Sequence, residues 1–119
     1  MDKEEMKRRT KQFALRVVRL VESLPEGRTA GVIGRELLRS GTSVGANYRA
    51  ACRAKSTADF ISKMGTVEEE ADESLYWMEL LVEAGIVKSE KLDSLMKEAD
   101  EPLAITVASI NTAKRRTKR

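Results

Sequence analysis

Apolar residues recur every three or four positions along nearly the whole chain, the period of helices with one buried face, and no strand is predicted. Phe13, Val17, Leu20, Val21 and Leu24 form one stripe and predict a first helix from about Lys3 to Leu24, stopped by Pro25 and Gly27. A second helix is expected from an N-cap near Thr29 to about Lys55, with Ile33, Leu37, Gly41, Val44, Tyr48 and Ala51 or Cys52 inward. Gly34, Gly41 and Gly45 each cost about 1 kcal/mol against Ala inside a helix. That cost argues for a packing reason: Gly41, Gly45 and Ala46 leave a shallow surface where a neighbouring backbone can approach. A bend near Gly41 to Ser43 is expected as well.

Ser56 and Asp59 make a capping-box pattern that opens a third helix reaching about Ala84. Phe60, Met64, Val67, Ala71, Leu75, Met78 and Val82 face its core side, and Gly85 suits the C′ position. Ser89 then caps a fourth helix with Leu92, Met96, Ala99, Leu103, Val107 and Ile110 inward. Pro102 lacks an N–H and clashes with the preceding turn, so a kink there or a restart at Asp100 is expected. Together these elements predict an all-α fold, an antiparallel up-down-up-down four-helix bundle kinked near Gly41–Ser43 and Pro102. Residues 1–113 make one domain, and residues 114–119 a basic, frayed tail.

Composition narrows the setting. No run of about 18 apolar residues is present, so no membrane span is expected. The opening MDKEEMKRR is too charged for a signal peptide, and the single Cys52 makes no disulfide framework; a cytoplasmic protein is the simplest reading. The net charge of +3 is misleading, because Lys114, Arg115, Arg116, Lys118 and Arg119 crowd the last six positions. Without those five bases the formal charge is −2, so the basic balance belongs to the tail.

An enzyme is not expected. Di-iron centres in helical bundles need Glu-x-x-His pairs, and the chain has no histidine. Glu69, Glu70, Asp72 and Glu73 read as a solvated or interfacial face rather than a metal site. Cys52 lies near the apolar stripe of the second helix, where a small buried cysteine is common. No catalytic residue, metal or cofactor is assigned.

Charge reverses sharply between the second and third helices. Residues 28–55 hold six bases (Arg28, Arg35, Arg39, Arg49, Arg53, Lys55) and one acid, Glu36. Residues 56–84 hold eight acids and one base, Lys63. One reading is two solvated faces partly paired within the monomer. The other is a head-to-tail subunit contact that closes into a ring, with Arg39, Ser43, Asn47, Arg49 and Arg53 on the basic side. Glu69, Glu73, Tyr76 and Trp77 supply the acidic side, Trp77 falling off the core register. Arg39, Ser43 and Asn47, one turn apart, are expected to hydrogen-bond Glu73 or its neighbours.

Three stretches carry a resemblance to a known family: RSGTSVGANYRAA (Arg39–Ala51), KSTADFISKM (Lys55–Met64) and EEADESLYWMELL (Glu69–Leu81). With them the chain resembles, over about Gln12 to Lys114, the bacterial four-helix bundle proteins named for intervening sequences of large-subunit ribosomal RNA genes. Many members carry Glu-Gly or Glu-Ala shortly after the Asn. Ala50 and Ala51 stand there in this chain, so no role of that Glu carries over. The resemblance implies an up-down-up-down bundle assembled as a homopentamer, with no established enzymatic activity. A related branch, the accessory variability proteins of diversity-generating retroelements, binds nucleic acid and a reverse transcriptase as a basic pentamer.

An even number of antiparallel helices puts the start of the first and the end of the last at the same pole. Lys7, Arg8, Arg9, Lys11 and Arg16 would thus join Lys114, Arg115, Arg116, Lys118 and Arg119 in one basic patch for RNA or DNA phosphates. Without an aromatic stacking platform, base-specific readout is not expected. The alternative is a protein-interaction scaffold that recruits its partner through the acidic face of the third helix.

Overall fold

Helices account for every regular element among the described residues. The computed structural model describes residues 2–117, apart from the side chains of Pro102, Leu103, Ala104, Val107 and Thr117. The helices are α1 (Lys3–Glu22), α2 (Arg28–Cys52), α3 (Thr57–Glu83) and α4 (Ser89–Thr117). The fold is all-α.

Each end has a local cause. Asp2 caps α1, its carboxylate accepting from the Glu5 N–H at 2.8 Å. The expected cap at Thr29 does not form. The cap lies two residues earlier, at Gly27, whose φ of 148° only glycine adopts readily. Ser56 caps α3 by accepting from the Asp59 N–H at 3.0 Å, and Asp59 reaches back as a capping box should. It takes the N–H of Lys55 (3.0 Å), one residue before the cap, and the Lys63 ammonium (2.6 Å). Those bonds hold the Asp59 carboxyl below its ordinary range, the Lys63 contact contributing most. At the other end of α3, Gly85 at φ 74° makes a Schellman motif, with Ile86 N–H donating to Leu81 O and Gly85 N–H to Val82 O.

The fourth helix runs unbroken through Pro102, so there is no restart at Asp100. Lys114, Arg115 and Arg116 stand within its last turn rather than in a tail, where cations face the negative end of the helix dipole. Lys118 and Arg119 lie outside the described residues, as do the side chains of Leu103 and Val107, expected in the core.

Packing between α1 and α2 is close and runs in opposite directions. A Cβ built on Gly34 would meet Leu24, one on Gly41 would meet Val17, and one on Gly45 would meet Thr10. The small surface expected on α2 therefore faces α1 at Gly41 and Gly45, whereas Ala46 points outward. The second helix also packs on α3, and α4 packs on both α3 and α1. The resulting rod measures 52 × 23 × 20 Å, so the helices lie along its length.

Phe13, Leu37, Met64, Met78, Leu81 and Leu92 are fully buried along its axis. Among the described residues Thr10, Ser40, Ser74 and Thr106 are buried with them. Thr10 donates to the Met6 carbonyl (2.9 Å), and Ser74 of α3 donates to Ser40 Oγ of α2 (3.0 Å). The Oγ1 of Thr106 has no hydrogen-bond partner among the described residues.

Candidate functional site

Packing against α4 changes the meaning of the basic stripe on α1. Arg9 forms an ion pair with Glu101, and Arg16 one with Glu98 while also bonding Ser94. Lys7 lies 3.4 Å from Glu4, and Arg8 4.0 Å from Glu5 and 3.2 Å from Gln12. Lys11 is exposed and forms no ion pair among the described residues. Four of the five α1 bases expected to meet phosphate are thus turned toward acids of the same chain. The two long-range pairs span 92 and 82 residues, beyond the reach of any local pattern.

The pole itself carries charge that is not neutralised in this way. The start of α1, the α2–α3 connection, the first turn of α3 and the end of α4 meet around an open cleft of about 730 Å³. Lys3, Lys55 and Arg116 line it with Phe60, Ile105 and Ala108, and among the described residues no Asp or Glu lines it. None of those three cations is in an ion pair among the described residues. Lys114 and Arg115 are exposed on the same last turn of α4, Arg115 donating to Thr112 Oγ1 at 3.4 Å.

Only Arg116 of this cleft was on the sequence-derived roster of phosphate contacts. Lys3 and Lys55 were legible as bases, but their convergence depends on where the helix ends meet. Half-buried Cys52 also borders the cleft. Beside it the Tyr48 phenol is pushed well above its usual range, first by burial and then by its hydrogen bond with Cys52. Tyr48 therefore stays neutral.

The interface candidates divide. Arg39 is committed within the monomer: its guanidinium reaches Glu73 at 2.6 Å, Glu70 at 3.1 Å and Glu36 at 3.6 Å. Hydrogen bonding to Glu73 leads the causes that push Arg39 further up. The same bond holds Glu73 below the ordinary carboxylate range, aided by the Trp77 indole N–H at 3.4 Å. Ser43 and Asn47 do not reach Glu73. The Ser43 hydroxyl donates to the Arg39 carbonyl (2.7 Å) and the Asn47 amide to the Ser43 carbonyl (2.8 Å), because such short side chains on a helix find their own backbone first.

Arg49, Arg53 and Glu69 are exposed and form no ion pair among the described residues. Tyr76 is 53% exposed, whereas Trp77 is half-buried against the core, its ring edge-on to Tyr76 at 5.1 Å. The off-register tryptophan is thus partly absorbed by the monomer. Among the described residues no cluster of His, Cys, Asp and Glu suits a metal ion, and no helix is long and apolar enough to cross a membrane.

Comparison with known proteins fits this arrangement. A crystal structure of a protein of unknown function from the S23 ribosomal protein family of Bacteroides thetaiotaomicron is 35% identical, with a TM-score of 0.86. The match covers 93% of this chain and 99% of that one. No curated protein matches the chain. The family model described as 23S rRNA-intervening sequence protein matches residues 2–108, and with nearly the whole helical rod included, the chain belongs to that family.

Proposed function

We propose that this protein is a non-enzymatic, cytoplasmic, oligomeric bundle of up-down-up-down topology that binds RNA or DNA nonspecifically through its basic pole. The observation that carries this reading is the convergence of Lys3, Lys55 and Arg116 on one acid-free cleft, with Lys114 and Arg115 close by. Phosphates are drawn to such a patch whatever the base sequence. The basic ends act mainly through this pole and through Lys11, since Arg9 and Arg16 are engaged by Glu101 and Glu98.

Self-association extends the reading. The family resemblance implies a homopentamer, and exposed Arg49 on α2 and Arg53 just after it, with Glu69 and Tyr76 on α3, supply complementary surfaces for it. Fivefold repetition would multiply the basic pole around one axis.

The test is binding of a structured RNA and a duplex DNA to purified protein at about 50 and about 200 mM salt. Several phosphate contacts should lower affinity by orders of magnitude across that range. Absence of binding at low salt would overturn the reading. It would favour the second one, in which exposed Glu69, Asp72, Glu79 and Glu83 around Tyr76 recruit a basic protein partner.

A further inference from the structure

The cleft at the basic pole is built for more than a phosphate. Lys3, Lys55 and Arg116 reach it from three different segments, so its charge is set by the fold and not by one flexible run. Asp59, in the first turn of α3, is occupied by Lys63 at 2.6 Å and by the Lys55 N–H at 3.0 Å, and it does not line the cleft. Ser56 and Thr57 bring the amino end of α3 into the lining, adding the positive end of a 27-residue helix.

Phe60, Ile105 and Ala108 line the same cleft as these charges. A duplex offers phosphates but keeps its base faces stacked, so this apolar lining would stay unused. A free phosphate would leave it empty too. An unpaired nucleotide has both parts, a flat apolar face and an anion beside it. A cleft of about 730 Å³ falls within the range of small-ligand sites.

We propose that the polar cleft seats an unpaired nucleotide of a single strand, its base against Phe60 and its phosphate among Lys3, Lys55 and Arg116. The proposal rests on the nucleic-acid reading above and narrows it from any phosphate backbone to exposed bases at ends and loops. Phe60 reads as a core position in sequence, and it does pack against the core. Its place in the first turn after the Ser56 cap is what also brings it to the cleft. Stacking on a ring tolerates every base, so the preference is for strandedness rather than sequence.

The experiment compares a short fluorescent oligouridylate with a blunt RNA duplex of equal length, on the full chain and on Phe60→Leu. Wild-type protein should favour the single strand by about tenfold, the size of one stacked base. Phe60→Leu, which keeps an apolar side chain, should remove that advantage and leave duplex affinity unchanged. Thermal melting checks that the variant is folded. If it is not, the exposed pair Lys55→Gln with Arg116→Gln replaces it and should lower the salt slope for the single strand by about 0.7, the share of one phosphate. An unchanged slope in that pair would overturn the proposal. Equal binding of both nucleic acids, insensitive to Phe60→Leu, would overturn the seat while the nucleic-acid reading stands. No binding of either would overturn both.

Discussion

A Cβ placed on Gly41 would lie 2.8 Å from Cγ1 and 2.9 Å from Cγ2 of Val17. Both atoms sit on the branched carbon of a fully buried side chain, which has a single strongly preferred rotamer in a helix. Contact at this point sets how closely α1 and α2 approach, and it explains why a helix interior tolerates a glycine there.

Gly41→Ala is therefore expected to destabilise the protein by about 1–3 kcal/mol through overpacking, less the ~1 kcal/mol of helix propensity that alanine returns. Gly65→Ala should do the opposite. Nothing lies within 4 Å of a Cβ at Gly65, in the interior of α3, so the variant should gain about 0.5–1 kcal/mol. Urea denaturation midpoints of the two variants should move in opposite directions. Adding Val17→Ala to Gly41→Ala should show a favourable coupling in a double-mutant cycle.

Thr106 and Thr10 make a second contrasting pair. Both are fully buried, but Thr10 bonds the Met6 carbonyl whereas Thr106 Oγ1 is unpartnered among the described residues. Thr106→Val should stabilise by about 1 kcal/mol or more, because it removes a desolvated group that gains nothing. Thr10→Val loses a hydrogen bond and should cost about 0.5–1.5 kcal/mol. Calorimetric melting decides the sign of each.

Acid should weaken the α2–α3 contact. The Arg39 bond holds the folded-state Glu73 carboxyl below its ordinary value of 4.5. A depressed carboxylate contributes stability that is present above the unfolded value and is lost as pH falls through the folded one. Stability of the wild type should thus decline below about pH 4.5, and Glu73→Gln should flatten that decline. Denaturant midpoints measured down the acid range test this, and equal slopes for the two proteins would rule the linkage out.

Bases that are paired and bases that are not should differ in nucleic-acid binding. Lys55→Gln or Arg116→Gln should each lower the salt slope by about one and weaken RNA and DNA alike. Arg9→Gln and Arg16→Gln should leave the slope nearly unchanged, because Glu101 and Glu98 already hold those guanidiniums. Binding isotherms over a salt series separate the two groups.

Much of the fold was legible before any coordinates. The spacing of Phe13 and Val17, of Leu37, Val44 and Tyr48, and of Met64, Val67, Ala71 and Met78 marks buried faces that the structure keeps. Ser56 and Gly85 bound α3 as their chemistry requires. Thr29 misled because a threonine before an apolar stripe resembles a cap, while the chain turns at Gly27 instead. Ser40, Ser74, Leu81 and Leu95 escaped the inward stripes because a helix between two neighbours buries more than one row.

What the sequence determined by itself is local: the helical period, the stops between helices, the lack of histidine, and the reversal of charge between α2 and α3. These follow from contacts three or four residues apart, which any reader of the chain can count. The tertiary structure decided which charges remain available. Arg9 and Arg16 are neutralised by acids 92 and 82 residues away, Arg39 is held by Glu70 and Glu73, and Lys3, Lys55 and Arg116 line one cleft with Phe60. Pairing over such separations depends on which helix faces meet and where their ends fall, and that is fixed only when Gly41 closes on Val17 and the core is packed.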